Sequence, residues 1–301
     1  MSRLALTLVL LSCFSHAAWN LIAKRQITTF AFFWLANLFA TLVAMPFILL
    51  FQFQALARLP AVLLSCLLVT AVCQAAYFCF LAGAYRHGDI SAVYPIARMA
   101  PLFVAPLAGL VEGVWPSRIA FAGIVTAVLG CFTLSAPEKG VFPVAKLKAA
   151  YLNRANLLAI ATAITSAGYT VCDSIGVRIA QRQMPGASGA FLYGGLEWFS
   201  TTLFLTAPAM ASQGAVSPGE VWQTQRSAVM CVGALSFFTY LLVLWAYSVS
   251  REVAYVAALR QFSIVLGVVG GGWFLKERVS AFRGAGALII MAGLVIVALA
   301  R

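Results

Sequence analysis

Charged side chains are scarce in this sequence of 301 residues. They make up 9% of the chain, against about 25% in an average soluble protein. Apolar side chains make up 63%, whereas a single globular core rarely grows beyond about 250–300 residues in total. One soluble domain cannot bury so many apolar side chains. The composition therefore excludes a soluble globular protein.

Catalytic and metal-binding side chains are also few. The chain has two histidines and contains no HExxH, GxSxG or nucleotide-binding loop sequence. We therefore expect no enzyme, no cofactor and no metal, and a transport activity that ATP does not drive directly. The seven cysteines form no CxxC pair and all lie in apolar runs, which is typical of packing residues rather than of disulfides or metal ligands.

Long apolar runs dominate what is present, and the mean hydropathy is +0.96. A transmembrane helix needs about 20 apolar residues, and runs of this kind recur along the whole chain. The sequence predicts an all-α membrane protein with ten transmembrane helices. The predicted spans are Leu4–Ala23, Thr28–Phe51, Pro60–Tyr85, Ile90–Val111, Ser117–Leu134, Ala155–Ile179, Gly186–Met210, Ser227–Ser248, Glu252–Leu275 and Ser280–Ala300.

The first of these runs also imitates a cleavable signal peptide, because a small-residue pair follows its apolar start. It continues to Ala23 before it meets Lys24, and it has a counterpart in the second half of the chain. We therefore read it as a transmembrane helix.

An internal repeat divides the chain into residues 1–135 and 155–301, joined by a loop at 136–154. The segment 84–98, AYRHGDISAVYPIAR, lies over 246–260, AYSVSREVAYVAALR, and Gly123 with Gly130 recurs as Gly286 with Gly293. A repeat of five spans must place its second copy upside down in the bilayer. We therefore predict two inverted five-helix repeats, the plan of many secondary transporters.

These segments resemble the EamA-type branch of the drug/metabolite transporter (DMT) superfamily. The likeness is carried by Ser91–Gly113, Ala254–Glu277 and Ala285–Val297, in which alanine-rich spans end on glutamate before glycine-studded spans. The resemblance implies transport of small molecules through a ten-helix fold with both termini in the cytoplasm. It is weak for the substrate. Ser263 stands where the first repeat has Pro101, so we expect a straighter ninth span.

Basic residues outnumber acidic ones by 20 to 8, but they are scattered over the loops as membrane anchors are. We expect a lipid bilayer and no nucleic acid as partner. The loop residues alone favour termini outside the cell, mainly because the 136–154 loop is basic, whereas the resemblance places both termini in the cytoplasm. We follow the resemblance and expect a multi-pass protein of the bacterial inner (plasma) membrane.

Four charged residues lie inside predicted spans: Arg98, Asp173, Glu197 and Arg260. Each costs about 2.5–3.5 kcal/mol at the centre of a bilayer, so each must face protein or water. Counting residues from the span ends places Asp173 level with Arg260. One interpretation is a pair of structural ion pairs, Arg260 with Asp173 and Arg98 with Glu197. The other is a substrate site.

Aromatic or imidazole side chains precede polar residues by four positions in four spans, and residues four apart share a helix face. These stripes suit the wall of a small-molecule cavity, which we place near the midplane between the first, fourth, sixth, seventh and ninth spans. The candidate substrate-binding residues are Arg98, Arg260, Tyr94, Glu197, Tyr193, Asp173, Tyr169, His16, Trp19 and Asn20.

The sequence thus predicts a secondary transporter of small polar metabolites that works by alternating access. Two intramembrane arginines favour an anionic or zwitterionic substrate, with Arg98 as the principal recognition cation. Glu197, Asp173 and His16 are candidate sites for a coupled proton. The alternatives are an exporter of cationic or aromatic compounds, in which Glu197 binds the cation, and a membrane scaffold that transports nothing. A GxxxG sequence at Gly267 allows a homodimer, although packing within a monomer explains it as well.

Overall fold

The computed structural model describes residues 2–26, 29–87, 93, 96–134, 153–211, 217–274, 276 and 280–300. These residues form helices joined by short turns, and no strand occurs among them. The helices are α1 (Arg3–Lys24), α2 (Phe30–Phe51), α3 (Phe53–Leu56), α4 (Ala61–His87), α5 (Ala100–Glu112), α6 (Arg118–Leu134), α7 (Arg154–Gln183), α8 (Ala187–Ala211), α9 (Pro218–Val249), α10 (Val253–Leu259), α11 (Phe262–Phe274) and α12 (Ala281–Leu299).

Seven segments of the described chain are long and apolar enough to cross a membrane: α1, α2, α4, α7, α9, α12 and the stretch from α10 through α11. Helices α5 and α6 are apolar but shorter. Helix α8 is 25 residues long, but polar residues such as Glu197 lower its hydropathy. The chain is therefore an all-α, multi-pass integral membrane protein. The ten-span arrangement as two repeats stays a prediction.

Hydroxyl side chains fix where several helices begin. Ser2, Thr29, Ser217 and Ser280 each accept a hydrogen bond from the backbone N–H three residues later, at 3.1–3.3 Å. The first turn of a helix has N–H groups without intrahelical partners, and such caps satisfy one of them. The starts of α1, α2, α9 and α12 follow from these local contacts.

Two arginines occupy equivalent breaks in the helices. Arg260 and Gln261 form a turn between α10 and α11, and Arg98 begins a similar turn just before α5. Pro101 lacks a backbone N–H, but Ser263 has one, and its N–H and hydroxyl both donate to the Arg260 carbonyl, at 3.1 and 2.8 Å. Bonds to the residue three positions back tighten a helix. The ninth span is therefore interrupted at Arg260 although it lacks a proline there, and whether it is straighter than the fourth span stays a prediction.

The first compact unit comprises Met1–Ala75 and Cys172–Arg251. In it α1 and α2 pack against α9, and α2 packs against α8. The backbones of α2 and α9 approach closely where Gly233 meets Ala36, since a Cβ on Gly233 would lie 2.5 Å from the Ala36 carbonyl oxygen. This unit holds the buried polar residues that are described in the next subsection.

The second compact unit comprises Ala76–Val171 and Glu252–Arg301. Its α6 and α12 meet at glycines: a Cβ on Gly123 would lie 2.8 Å from the Gly293 carbonyl oxygen, and a Cβ on Gly130 would lie 2.8 Å from that of Gly286. These contacts are reciprocal, because the predicted repeat aligns Gly123 with Gly286 and Gly130 with Gly293. The repeat boundaries themselves, 1–135 and 155–301, stay a prediction.

A buried carboxylate cluster as the candidate functional site

Asp173 is fully buried in the first unit and is surrounded by hydroxyl groups. Its Oδ1 accepts hydrogen bonds from the hydroxyl of Thr70 at 2.7 Å and from that of Tyr193 at 2.9 Å. Its Oδ2 accepts a hydrogen bond from the hydroxyl of Tyr240. Donors therefore reach both oxygens of this carboxyl group, and they come from α4, α8 and α9.

Glu197 is the second fully buried carboxyl group of this unit. Its Oε1 accepts a hydrogen bond from the Gln74 amide and a longer one, at 3.5 Å, from the Thr201 hydroxyl. Its Oε2 is buried and has no hydrogen-bond partner among the described residues. The two oxygens of Glu197 thus differ, whereas both oxygens of Asp173 are occupied.

A glycine on α7 makes room for the tyrosine that joins these two groups. Gly176 lies three residues after Asp173, and a Cβ at this position would lie 2.7 Å from the Tyr193 hydroxyl oxygen. Tyr193 is itself fully buried and precedes Glu197 by one helical turn on α8. Its ring therefore packs directly against the backbone of α7, and its hydroxyl reaches Asp173.

Aromatic rings line the side of the cluster formed by α8 and α9. Trp198 contacts Tyr240 and Phe237, with ring centroids 5.3 and 5.4 Å apart. Its indole N–H is buried and has no hydrogen-bond partner among the described residues. Tyr240 is buried, and a hydrogen bond in a protein interior is electrostatically stronger than in water.

Arg178 holds the end of the helix that carries Tyr240. Its guanidinium donates to the carbonyl oxygens of Tyr247, Ser250 and Arg251, at 3.3, 3.0 and 3.3 Å. The last carbonyls of a helix have no intrahelical donors, and Arg178 on α7 supplies them for α9. This arginine therefore fixes α9 against α7.

The predicted stripe on α1 also lies in the first unit. The rings of His16 and Trp19 are in edge contact, with centroids 4.9 Å apart. The Asn20 amide donates to the His16 backbone carbonyl at 2.7 Å, so this amide is engaged within its own helix. All three side chains are partly buried.

The remaining predicted residues lie in the second unit. Tyr169 packs edge-on against Tyr77, with centroids 6.0 Å apart, and accepts a hydrogen bond from Ser166 at 3.0 Å. Arg98 and Arg260 are partly buried at their helix breaks, and the Gln261 amide donates to the Arg98 carbonyl at 3.0 Å. Tyr94 lies outside the described residues.

The structure thus brings Asp173, Tyr193 and Glu197 into one cluster. The proposed ion pairs of Arg260 with Asp173 and of Arg98 with Glu197 each join residues of different units, and they stay predictions, as do the binding roles of the candidate residues.

Sequence reasoning missed the donors Thr70, Gln74 and Tyr240. Thr70 and Gln74 are four residues apart in an otherwise apolar span, and this signal could have identified them.

The two carboxyl groups of the cluster, Asp173 and Glu197, suit the binding of a proton or a cation within an apolar protein. A buried carboxylate needs donors or a positive charge, and a buried carboxylic acid needs neither to the same extent. Asp173 has donors on both oxygens, whereas one oxygen of Glu197 has no donor within the described segments. The cluster therefore can stabilise one negative charge and can exchange a proton or a positively charged group at Glu197.

Comparison with known proteins agrees with this membrane architecture. A crystal structure described only as that of a protein superposes with a TM-score of 0.75 and covers 100% of this chain and 99% of its own, at 16% sequence identity. At this identity the likeness shows the fold alone. The chain matches none of the curated proteins. Residues 3–136 match the family described as the EamA-like transporter family, which confirms, for this part of the chain, the resemblance to the DMT superfamily seen in the sequence.

Proposed function

We propose that this protein is a secondary transporter that moves a small polar metabolite across the membrane by alternating access. The carrying observation is the pair of fully buried carboxyl groups, Asp173 and Glu197, inside apolar helices. Ionisable groups at membrane depth are costly and mark substrate or ion pathways. The match of residues 3–136 to a transporter family supports the same function, and a scaffold without transport would not need such a cluster.

The substrate in this proposal is anionic or zwitterionic. Arg98 and Arg260 support it, because each lies at a break in a helix and keeps part of its surface accessible. A guanidinium binds carboxylate or phosphate through two parallel hydrogen bonds. Arg98 is the principal recognition cation, and the second arginine, the α1 stripe and the tyrosines complete the binding residues.

A cationic or aromatic substrate is the second candidate. It is favoured by Oε2 of Glu197, which has no hydrogen-bond partner among the described residues, and by the ring contact of Trp198 with Tyr240 between α8 and α9. A cation bound near these groups gains both charge pairing and attraction to the aromatic faces. In this case the protein is an exporter of the drug type.

The proposal places the protein in the bacterial inner membrane with both termini in the cytoplasm, as a monomer or homodimer that couples substrate movement to a proton. Seven membrane-crossing segments support the membrane location. Protease protection of tags on the two termini in oriented vesicles tests the orientation. Digestion of the tags by a protease added to the periplasmic side of the membrane would contradict it.

Ligand binding followed by flux tests the function. Purified protein is screened by thermal shift against carboxylates, phosphates, amino acids and quaternary amines, because a ligand that binds the folded state raises Tm. The best class is then tested for uptake into proteoliposomes. We expect an anion or zwitterion to stabilise the wild type and Arg98→Gln to lose this response. Stabilisation by quaternary amines alone supports the second candidate, and no flux of any class contradicts both.

A further inference from the structure

The two buried carboxyl groups of the first unit differ in how many of their oxygens have donors. Asp173 accepts from three hydroxyls, those of Thr70, Tyr193 and Tyr240. Glu197 has donors on Oε1 only, from Gln74 and Thr201, and its Oε2 is buried without a hydrogen-bond partner among the described residues. Both carboxyl groups are fully buried, so neither is exposed to bulk solvent.

Protonation would affect these two groups differently. If Asp173 bound a proton, one of the three neighbouring hydroxyl groups would have to turn and accept a hydrogen bond from it. The hydrogen of that hydroxyl group would then no longer have Asp173 as its acceptor. A proton on Oε2 of Glu197 breaks no hydrogen bond, since no donor from the described part of the chain reaches this oxygen. A buried carboxylate oxygen without a donor costs more than the oxygen of a neutral acid. The observed donors therefore match an ionised Asp173 and a neutral Glu197.

Gln74 suits a group that changes its protonation state. Its side-chain amide carries an N–H donor and a carbonyl acceptor on one planar group. It donates to Oε1 of Glu197 in the structure, and Oε1 can accept this hydrogen bond whether or not Oε2 carries a proton. The same neighbour can therefore stabilise Glu197 with and without a proton.

Among the described residues, the groups that act on Glu197 are Asp173, Thr201 and Gln74, and none of them is positively charged. The titratable groups that face the cluster are Asp173 on α7, Tyr193 on α8, Tyr240 on α9 and the thiols of Cys66, Cys73 and Cys172 next to Asp173. Helix α2, which packs against α8, carries no titratable side chain. Two negative charges would repel each other here, so the cluster is suited to hold one.

We propose that Glu197 is the proton-binding group of this protein and that Asp173 is its permanently ionised neighbour. The location of the proton is argued from the donors alone. Its role, the coupling of substrate movement to a proton, rests on the proposed transport function. The proton lies on Oε2, and the site releases it when a conformational change or a bound substrate brings a donor or a cation to that oxygen.

Infrared spectroscopy of the purified protein tests the assignment without any transport. A protonated carboxylic acid has a carbonyl stretch that is separate from the bands of ionised carboxylates and shifts in heavy water. We expect this band in the wild type at neutral pH, its loss in Glu197→Gln, and its retention in Asp173→Asn. The matched control is Glu220→Gln, which makes the same chemical change at an exposed position of α9 and should keep the band.

Three outcomes overturn the assignment: no acid band in the wild type, a band that persists in Glu197→Gln, or a band that is lost in Asp173→Asn. If Asp173→Asn does not fold, Glu197→Gln and its control decide the question alone. Flux in proteoliposomes separates this inference from the proposed function. A wild type that transports without an acid band refutes the proton site alone, and a band without flux of any substrate refutes the transporter alone.

Discussion

The two compact units of this protein hold their helices together by different means. The first unit joins α4, α7, α8 and α9 through side-chain hydrogen bonds that converge on Asp173. The second unit joins α6 and α12 through backbones that touch at glycines. Hydrogen bonds between side chains can be rearranged when a proton or ligand arrives, whereas close backbone packing cannot. Proton exchange is therefore expected in the first unit, and mechanical stiffness in the α6–α12 pair of the second.

Removal of the Asp173 carboxyl group should have the largest effect on stability. Asp173→Ala leaves three buried hydroxyl groups without their acceptor, and each unsatisfied buried group costs about 1–3 kcal/mol. We expect a loss of at least about 3 kcal/mol in the free energy of unfolding, measured by denaturation in detergent. The exposed Glu220→Ala on α9 should change it by less than about 0.5 kcal/mol. Equal stability of the two variants would show that the hydroxyl cluster does not support the first unit.

A pair of alanine substitutions on α12 probes the second unit. Gly286→Ala would place a Cβ 2.6 Å from the Leu134 Cα, whereas nothing lies within 4 Å of a Cβ at Gly284. Overpacking costs about 1–3 kcal/mol, and we expect a loss of this size for Gly286→Ala. Gly284→Ala should keep or slightly raise Tm, because alanine favours the helix. If both variants behave alike, backbone contact does not stabilise the pair.

The smallest effect is expected at the link between α7 and the end of α9. Arg178→Gln removes donors from the carbonyls of Tyr247, Ser250 and Arg251, and two of these three hydrogen bonds are long, at 3.3 Å. We expect a loss of about 1–2 kcal/mol in the free energy of unfolding. Arg182→Gln, at an exposed position of the same helix, serves as the control. A loss in both variants would indicate that charge on α7, and not the capping of α9, is responsible.

The sequence predicts these two units unequally well. Burial of charge in lipid is so costly that Asp173 and Glu197 stand out in apolar runs, and their importance could be inferred without a structure. Their partners could not, because spacing along one helix does not tell which helices are neighbours. Tyr193 shares a stripe with Glu197, yet its hydroxyl donates to Asp173 on another helix.

The sequence pattern also does not predict the helix break at Arg260. The absence of a proline favoured a straight span, but the hydroxyl of Ser263 donates to the Arg260 carbonyl and accompanies the same kind of turn. Local side-chain bonds of serine compete with the regular helix pattern, and no apolar periodicity records them. The spacing of Gly123 and Gly130, by contrast, recurs at Gly286 and Gly293 and is the spacing at which α6 and α12 touch.

The space left by Gly176 has a consequence for how this protein can diverge. Because the Tyr193 ring occupies the place where a side chain at 176 would lie, the two positions cannot vary independently. A relative with alanine or serine at the position of Gly176 must carry a smaller residue at the position of Tyr193, and it then loses one donor to the carboxylate of Asp173. Paired changes at these two positions would therefore mark relatives whose carboxyl cluster has taken on a different chemistry.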